Sequence, residues 1–223
     1  MLKAAILASG NGTNAQRFFD MAAEGTLDID IRLVLCNRPG AGVLERAKKA
    51  GVPSLCLDHK TFPSREAFDQ AMIRAIREAG ADTIVLAGYM RLLTNAFLQA
   101  FPGRIINIHP ALLPSFPGLD GVGDAAAYGV KITGCTVHFV DEIMDHGEVI
   151  IQAAMPHAAG EPVEDLRMRI HAAEHRIYPQ ALQWLSEGRI SRKGREVFLA
   201  PGNKPLAPQP EGMLIWPPLE EGF

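Results

Sequence analysis

The sequence predicts an α/β fold on a mainly parallel sheet, and three observations predict it. Short apolar runs alternate with amphipathic stretches up to about residue 110; a glycine-rich turn joins the first run to the first amphipathic stretch; and 223 residues suit one large domain. Alternation at this spacing marks right-handed βαβ units, because parallel strands need a long crossover between them.

Taken in order, KAAILAS (3–9), IDIRLVLCN (29–37), VPSLCL (52–57), ADTIVLAG (81–88) and RIINIH (104–109) read as strands. Helical periodicity fills the gaps at 14–24, 42–50, 64–79 and 94–101. After residue 110 the rhythm changes. TGCTVHFV (133–140) and EVIIQAAMP (148–156) read as a strand pair around the polar turn DEIMDHG. A long helix follows over 162–187, with Pro162 at its start, where a missing N–H is harmless, and Gly188 just past its end. Six prolines fall among the 27 residues from Val197. That density predicts an extended or loosely packed tail over 197–223, leaving 1–196 as the domain.

Composition narrows the class. The chain is 48% hydrophobic and 21% charged, ordinary for a globular protein with a substantial core. A formal net charge of -3 gives no electrostatic case for nucleic acid or an acidic membrane surface. Three cysteines (Cys36, Cys56, Cys135) sit in or beside apolar runs and read as reduced, buried thiols. The opening MLKAAILASGNG turns polar too soon for a signal peptide, and no run is long enough to span a membrane. The expectation is a cytoplasmic protein with small-molecule partners, a monomer or weak homodimer.

SGNGTNA (9–15) follows the first strand, and Gly10, Gly12 and Ala15 fit the dinucleotide pattern G-x-G-x-x-G/A. Glycines permit close backbone approach, and free N–H groups at a helix start favour an anion. Thr13 and Asn14 are placed to cap the helix. The second strand ends in LCNRPG, without the acid that reads a ribose of NAD. Arg38 keeps NADP open, and a substrate monophosphate fits equally well.

The fifth strand ends in Asn107-Ile108-His109, followed by Pro110. Residues two apart on a strand share a face, so an amide and an imidazole stand side by side at the carboxyl end, where open parallel sheets bind ligands. The amide can donate to a developing oxyanion. VDEIMDHGEVI (140–150) supplies acids in a turn able to fold over this strand end. A carboxylate beside an imidazole orients it for proton transfer. No G-x-S-x-G elbow or activated cysteine is present, so the set suits direct transfer between two bound substrates.

SGNGTN, LAGYMRLL, NIHPALLPSFPG, GCTVHFVDEIMDHGEVIIQ and EHRIYP stand in the order and spacing of the phosphoribosylglycinamide formyltransferase family, which the chain resembles from about residue 3 to 190. The resemblance implies a doubly wound, Rossmann-like, mostly parallel seven-stranded sheet. It implies formyl transfer from 10-formyltetrahydrofolate, a co-substrate, to the amine of glycinamide ribonucleotide, with no metal. Asn107, His109 and Asp145 resemble the catalytic trio. Gly12, Thr13 and Asn14 resemble the ribonucleotide phosphate site, and Glu174 its ribose contact. Met90, Arg91, Leu92 and Leu93 resemble the stretch along the folate, with Asn107 beside it and Arg65 near its anionic end; Val140, Asp141 and Glu142 belong to the turn resembling the pterin pocket.

Three stretches depart from the family pattern. DGVGDA (120–125) replaces a histidine-rich run, so Asp120 and Val122 stand for histidines; Ala111 stands where serine is common; and DHGE (145–148) replaces DGGP. The related methionyl-tRNA formyltransferases and formyltetrahydrofolate hydrolases each add a further domain for which the chain shows no segment. An NADP oxidoreductase and a lapsed, folate-holding module are the competing classes. HAAEH (171–175) fits the inverted zinc pattern H-x-x-E-H, but no third ligand is marked. His138 shares a strand face with Thr136 and Val140 and reads as core or as support behind the site.

Overall fold

The opening apolar run forms β1 (Leu2–Ala8), with every residue but Lys3 buried, as in a strand covered on both faces. The computed structural model describes residues 1–223, in two compact units, 1–107 and 108–223. In the first unit β1 lies between β2 (Ile29–Cys36) and β4 (Thr83–Leu86). β3 (Ser54–Cys56) lies beyond β2 and β5 (Ile105–His109) beyond β4, all parallel. Helices α1 (Thr13–Ala23), α2 (Gly42–Lys49), α3 (Arg65–Glu78) and α4 (Asn95–Ala100) fill the crossovers, at the stretches with helical periodicity. Ser64 and Thr94 cap α3 and α4 by accepting from the N–H groups of Ala67 and Phe97.

Strand order reverses at β1: the chain steps outward through β2 and β3, then returns to lay β4 on the other side. A reversal of this kind opens a crevice at the strands' carboxyl ends. There the Ser9 N–H donates to the Gly88 carbonyl at 3.0 Å, tying the two strand exits together.

The second unit opens on the last two residues of β5. Its strands β6 (Ile132–Phe139) and β7 (Val149–Pro156) pair antiparallel, with a register irregularity after Val137. The long helix α6 (Val163–Ser186) packs on both through Leu166, Ile170, Ala173, Ile177 and Ala181, a buried seam at three- and four-residue spacing.

Five elements escape the sequence reading. A turn of 3-10 helix spans His59–Thr61. The stretch 120–125 belongs to a helix, α5 (Gly121–Tyr128): the Asp120 side chain caps it by accepting from Gly123, and Gly129, at φ 81°, ends it. Beyond α6, β8 (Ile190–Lys193) and β9 (Glu196–Leu199) form a hairpin. Finally, β10 (Leu214–Trp216) pairs antiparallel with β7, an eighth strand where seven were expected.

Much of the tail predicted to be loose is seated. Ile215 and Leu219 are buried; Gln180 Oε1 accepts from the Glu220 N–H at 2.7 Å; and Arg189 pairs with the Glu220 carboxylate at 2.7 Å. Prolines forbid an interior strand, yet they are compatible with a short edge strand flanked by turns, which is what β10 is. All three cysteines are free; Cys36 and Cys135 are buried, whereas Cys56 is partly exposed. No helix is long and apolar enough to cross a membrane. Ile215→Ala is expected to lower unfolding stability by about 2–5 kcal/mol, the range for emptying a packed aliphatic site. A urea midpoint equal to that of the parent chain would show the tail to be energetically idle.

Candidate active site

In the second unit the end of β5 delivers His109 into a buried cluster. Its Nε2 lies 2.7 Å from the Phe116 carbonyl, and its Nδ1 lies 3.5 Å from Asp145 Oδ2. A carbonyl can only accept, so Nε2 carries a proton and the ring meets the carboxylate through Nδ1. That second contact is attractive only when Nδ1 or the carboxyl is protonated.

Asp145 is fixed from several sides. Its Oδ2 accepts from the Gly118 N–H at 2.8 Å, and Oδ1 lies 3.9 Å from His138 Nε2. Its own backbone is left-handed, φ 52°, a costly conformation for a residue with a Cβ. Gly147 follows because a Cβ there would collide with the Phe139 carbonyl. His138, expected as core or support, is buried, and its Nδ1 donates to the Phe139 carbonyl at 2.6 Å. Burial pushes its pKa down.

The loop after β5 is anchored by residues that the sequence reading passed over. Thr136 Oγ1 donates to the Ala111 carbonyl at 2.7 Å and accepts from the Leu113 N–H at 3.1 Å. Gln152 Nε2 donates to both Thr136 Oγ1 and the Leu113 carbonyl. Gly121, at the start of α5, must lack a side chain, since a Cβ would sit 2.9 Å from His109 Nε2. These positions carry no sequence signal, because each acts through a partner distant in the chain.

A cavity of about 330 Å³ lies in the same unit, lined by Pro110, Val122, Arg167, His171 and Glu174, among others. Glu174 is buried on α6, and its Oε2 accepts from His171 Nδ1 at 2.8 Å. That hydrogen bond raises the His171 pKa above the ordinary histidine value. His171 and His175 do share a helix face, with ring centroids 4.3 Å apart, as the inverted zinc pattern requires. Their Nδ1-to-carboxylate bond gives His171 a structural partner instead.

The turn after β6 presents Val140, Asp141 and Glu142. Asp141 accepts from the Ile143 N–H at 2.9 Å and from His146 Nδ1 at 2.8 Å, and Ile143 and Met144 lie exposed beyond it.

In the first unit, the glycine loop leads into α1. Gly12, at φ 76°, is itself the cap, and no side chain caps the helix, which corrects the capping expected of Thr13 and Asn14. Val43 is the reason that Gly12 is glycine: a Cβ would stand 2.5 Å from its Cγ2. Arg46 on α2 braces the loop, donating through Nε to the Asn11 carbonyl at 2.8 Å. The loop's N–H groups at the head of α1 suit an anion.

Arg65 and the 90–93 stretch do come together. An Arg65 N–H donates to the Leu92 carbonyl at 3.0 Å; Met90 N–H donates to Ser9 Oγ at 2.9 Å; and Arg91 lies over the Phe68 ring. Met90 and Leu92 remain exposed, while Leu93 is partly covered. Ser9 Oγ in turn donates to Asn37 Oδ1 at 2.6 Å, linking the glycine loop to this stretch. Asn107 pairs with Leu86 in the β4–β5 ladder and is partly exposed.

An NMR titration should place the His171 midpoint above the ordinary histidine value, and Glu174→Gln should return it toward that value. Because the folded value is the raised one, the pair's stabilisation is full below the unfolded value and fades as pH rises through the folded one. An unmoved midpoint in the variant would contradict the pairing.

The profile of the formyl transferase family matches residues 2–182. The phosphoribosylglycinamide formyltransferase of Bacillus subtilis (strain 168) is 44% identical over 185 residues, covering 83% of this chain and 95% of that protein. The Escherichia coli (strain K12) enzyme of the same name is 40% identical over 194 residues, covering 87% and 92%. Glycinamide ribonucleotide transformylase 1 from Symbiobacterium toebii, a solved structure, shares the α/β fold with a TM-score of 0.87 and 48% identity, covering 89% of this chain and 94% of that one. The trifunctional purine biosynthetic proteins of Drosophila pseudoobscura pseudoobscura and Drosophila melanogaster are each 45% identical, and the chain spans 14% of their length. With a profile spanning most of its length and two bacterial enzymes matched almost end to end, the chain belongs to the formyl transferase family.

Proposed function

We propose that the chain is a phosphoribosylglycinamide formyltransferase of purine biosynthesis. On this reading it transfers a formyl group from 10-formyltetrahydrofolate to the amine of 5'-phosphoribosylglycinamide, within the cytoplasm. The observation that carries the reading is the His109–Asp145 pair at the end of β5, with an amide two residues earlier on the same strand.

Each residue then has a chemical task. The acceptor amine attacks the formyl carbon, a C–N bond forms, and the carbonyl oxygen becomes an oxyanion. Asn107 donates to that oxyanion. His109 uses its Nε2 proton, held by the Phe116 carbonyl in the absence of substrate, to polarise the formyl group. With Asp145 steadying the imidazolium, the ring helps move one proton from the attacking amine to the departing folate nitrogen, whose bond to carbon breaks. No covalent enzyme intermediate is needed. Gly12, Thr13 and Asn14 bind the ribonucleotide phosphate, and Glu174 accepts from its ribose hydroxyls. Met90 to Leu93 supply apolar surface for the folate, Arg65 meets its carboxylates, and the backbone of Val140, Asp141 and Glu142 reads the pterin edge.

His109→Ala is expected to lower kcat by roughly 10²–10⁴-fold in a steady-state assay with chelator present, since an acid–base group is lost. Both KM values should stay within a few-fold. Unchanged turnover would contradict the assignment. Folate turnover without the ribonucleotide would instead point to a hydrolase.

A further inference from the structure

Two side chains in the turn after β6, His146 and Glu148, stand where the family pattern has small or neutral residues, and both are gripped by the hairpin β8–β9. An Arg195 N–H donates to the His146 backbone carbonyl at 2.6 Å. The same guanidinium lies against the imidazole, 3.2 Å from His146 Nδ1 and 3.3 Å from Nε2, while His146 Nδ1 lies 2.8 Å from Asp141 Oδ2. On the other side of the hairpin turn, Arg192 lies over the Phe139 ring at 4.3 Å and 3.5 Å from Glu148 Oε2. Glu148 closes the turn, its carbonyl accepting from the Phe139 N–H at 2.9 Å.

These contacts fall on the segment that most needs support. The peptide held by Arg195 belongs to the residue after Asp145, whose left-handed backbone is unfavourable unless its surroundings enforce it. An exposed ion pair alone is weak. Here a charge-assisted bond to a carbonyl, a cation over an aromatic ring and a shared histidine all bear on the ten residues 139–148.

We propose that the β8–β9 hairpin is a brace for the 141–148 turn, with Arg195 and Arg192 as positioning residues that hold Asp145 and the folate-side backbone in place. Its catalytic consequence rests on the functional reading above; its mechanical content does not.

The test uses the full chain with Arg195→Ala, and Arg192→Ala as a second variant. Amide hydrogen exchange of residues 141–148 should quicken by about 10-fold on loss of the charge-assisted bond, with α1 and α3 unaffected. The KM for 10-formyltetrahydrofolate should rise about 3- to 10-fold while the ribonucleotide KM stays within about 2-fold, and Arg195→Lys should recover part of the loss. Unchanged exchange across 141–148 in both variants would overturn the brace. A parallel rise in both KM values with a lowered unfolding midpoint would also overturn it, by showing a general structural role. A parent chain that transfers no formyl group would remove the functional reading, and exchange alone would then decide the brace.

Discussion

Everything in the second unit converges on the contact between His109 Nδ1 and Asp145 Oδ2. An imidazole at a strand end has no preferred use for its second nitrogen, and a carboxylate in a turn has no reason to adopt a left-handed backbone. Each is held by the other's setting. The Phe116 carbonyl takes one ring nitrogen and fixes which nitrogen faces the acid. The Gly118 N–H takes the carboxylate oxygen that also faces the ring. Glycine at 121 and at 147 lets the flanking backbone close in to that distance. A Cβ at 121 would press on the His109 ring, and one at 147 on the Phe139 carbonyl.

Legibility in the sequence follows where the physics is local. β1 beyond Lys3, the second half of β2 (Leu33 to Cys36) and β4 are buried on both faces, so they read as apolar runs. α6 is framed by Pro162 and by Gly188 at φ 68°, and its seam repeats at helical spacing. Asn107 and His109 were legible because strand alternation alone puts them on one face. Asp145 was legible as one of several acids in a turn; its selection came from family resemblance, since spacing does not distinguish it from Asp141 or Glu142.

What was hidden is tertiary. α5 carries a sound cap in Asp120 and a sound stop in Gly129, but DGVGDAAAY has too little polar contrast to show a buried stripe. In the hairpin, β8 is polar and mostly exposed, and β9, apolar after Glu196, is only four residues long, too short for its alternation to announce a strand. β10 is three residues long and gains its place from β7 and α6. Thr136, Gln152 and Arg46 look like ordinary polar residues until their partners, sixteen to thirty-nine positions away, are brought to them. The capping expected of Thr13 and Asn14 failed for a similar reason: Val43 crowds the loop, Gly12 takes a conformation closed to other residues, and the cap falls to it.

The central claim is that His109 and Asp145 act as one unit. A double-mutant cycle with His109→Ala, Asp145→Asn and both together, read as kcat in steady-state formyl transfer, tests it most directly. The account predicts that the double variant is no slower than the slower of the two single variants, because each change breaks the same pair. Losses that multiply in the double variant would show two independent groups and contradict the account.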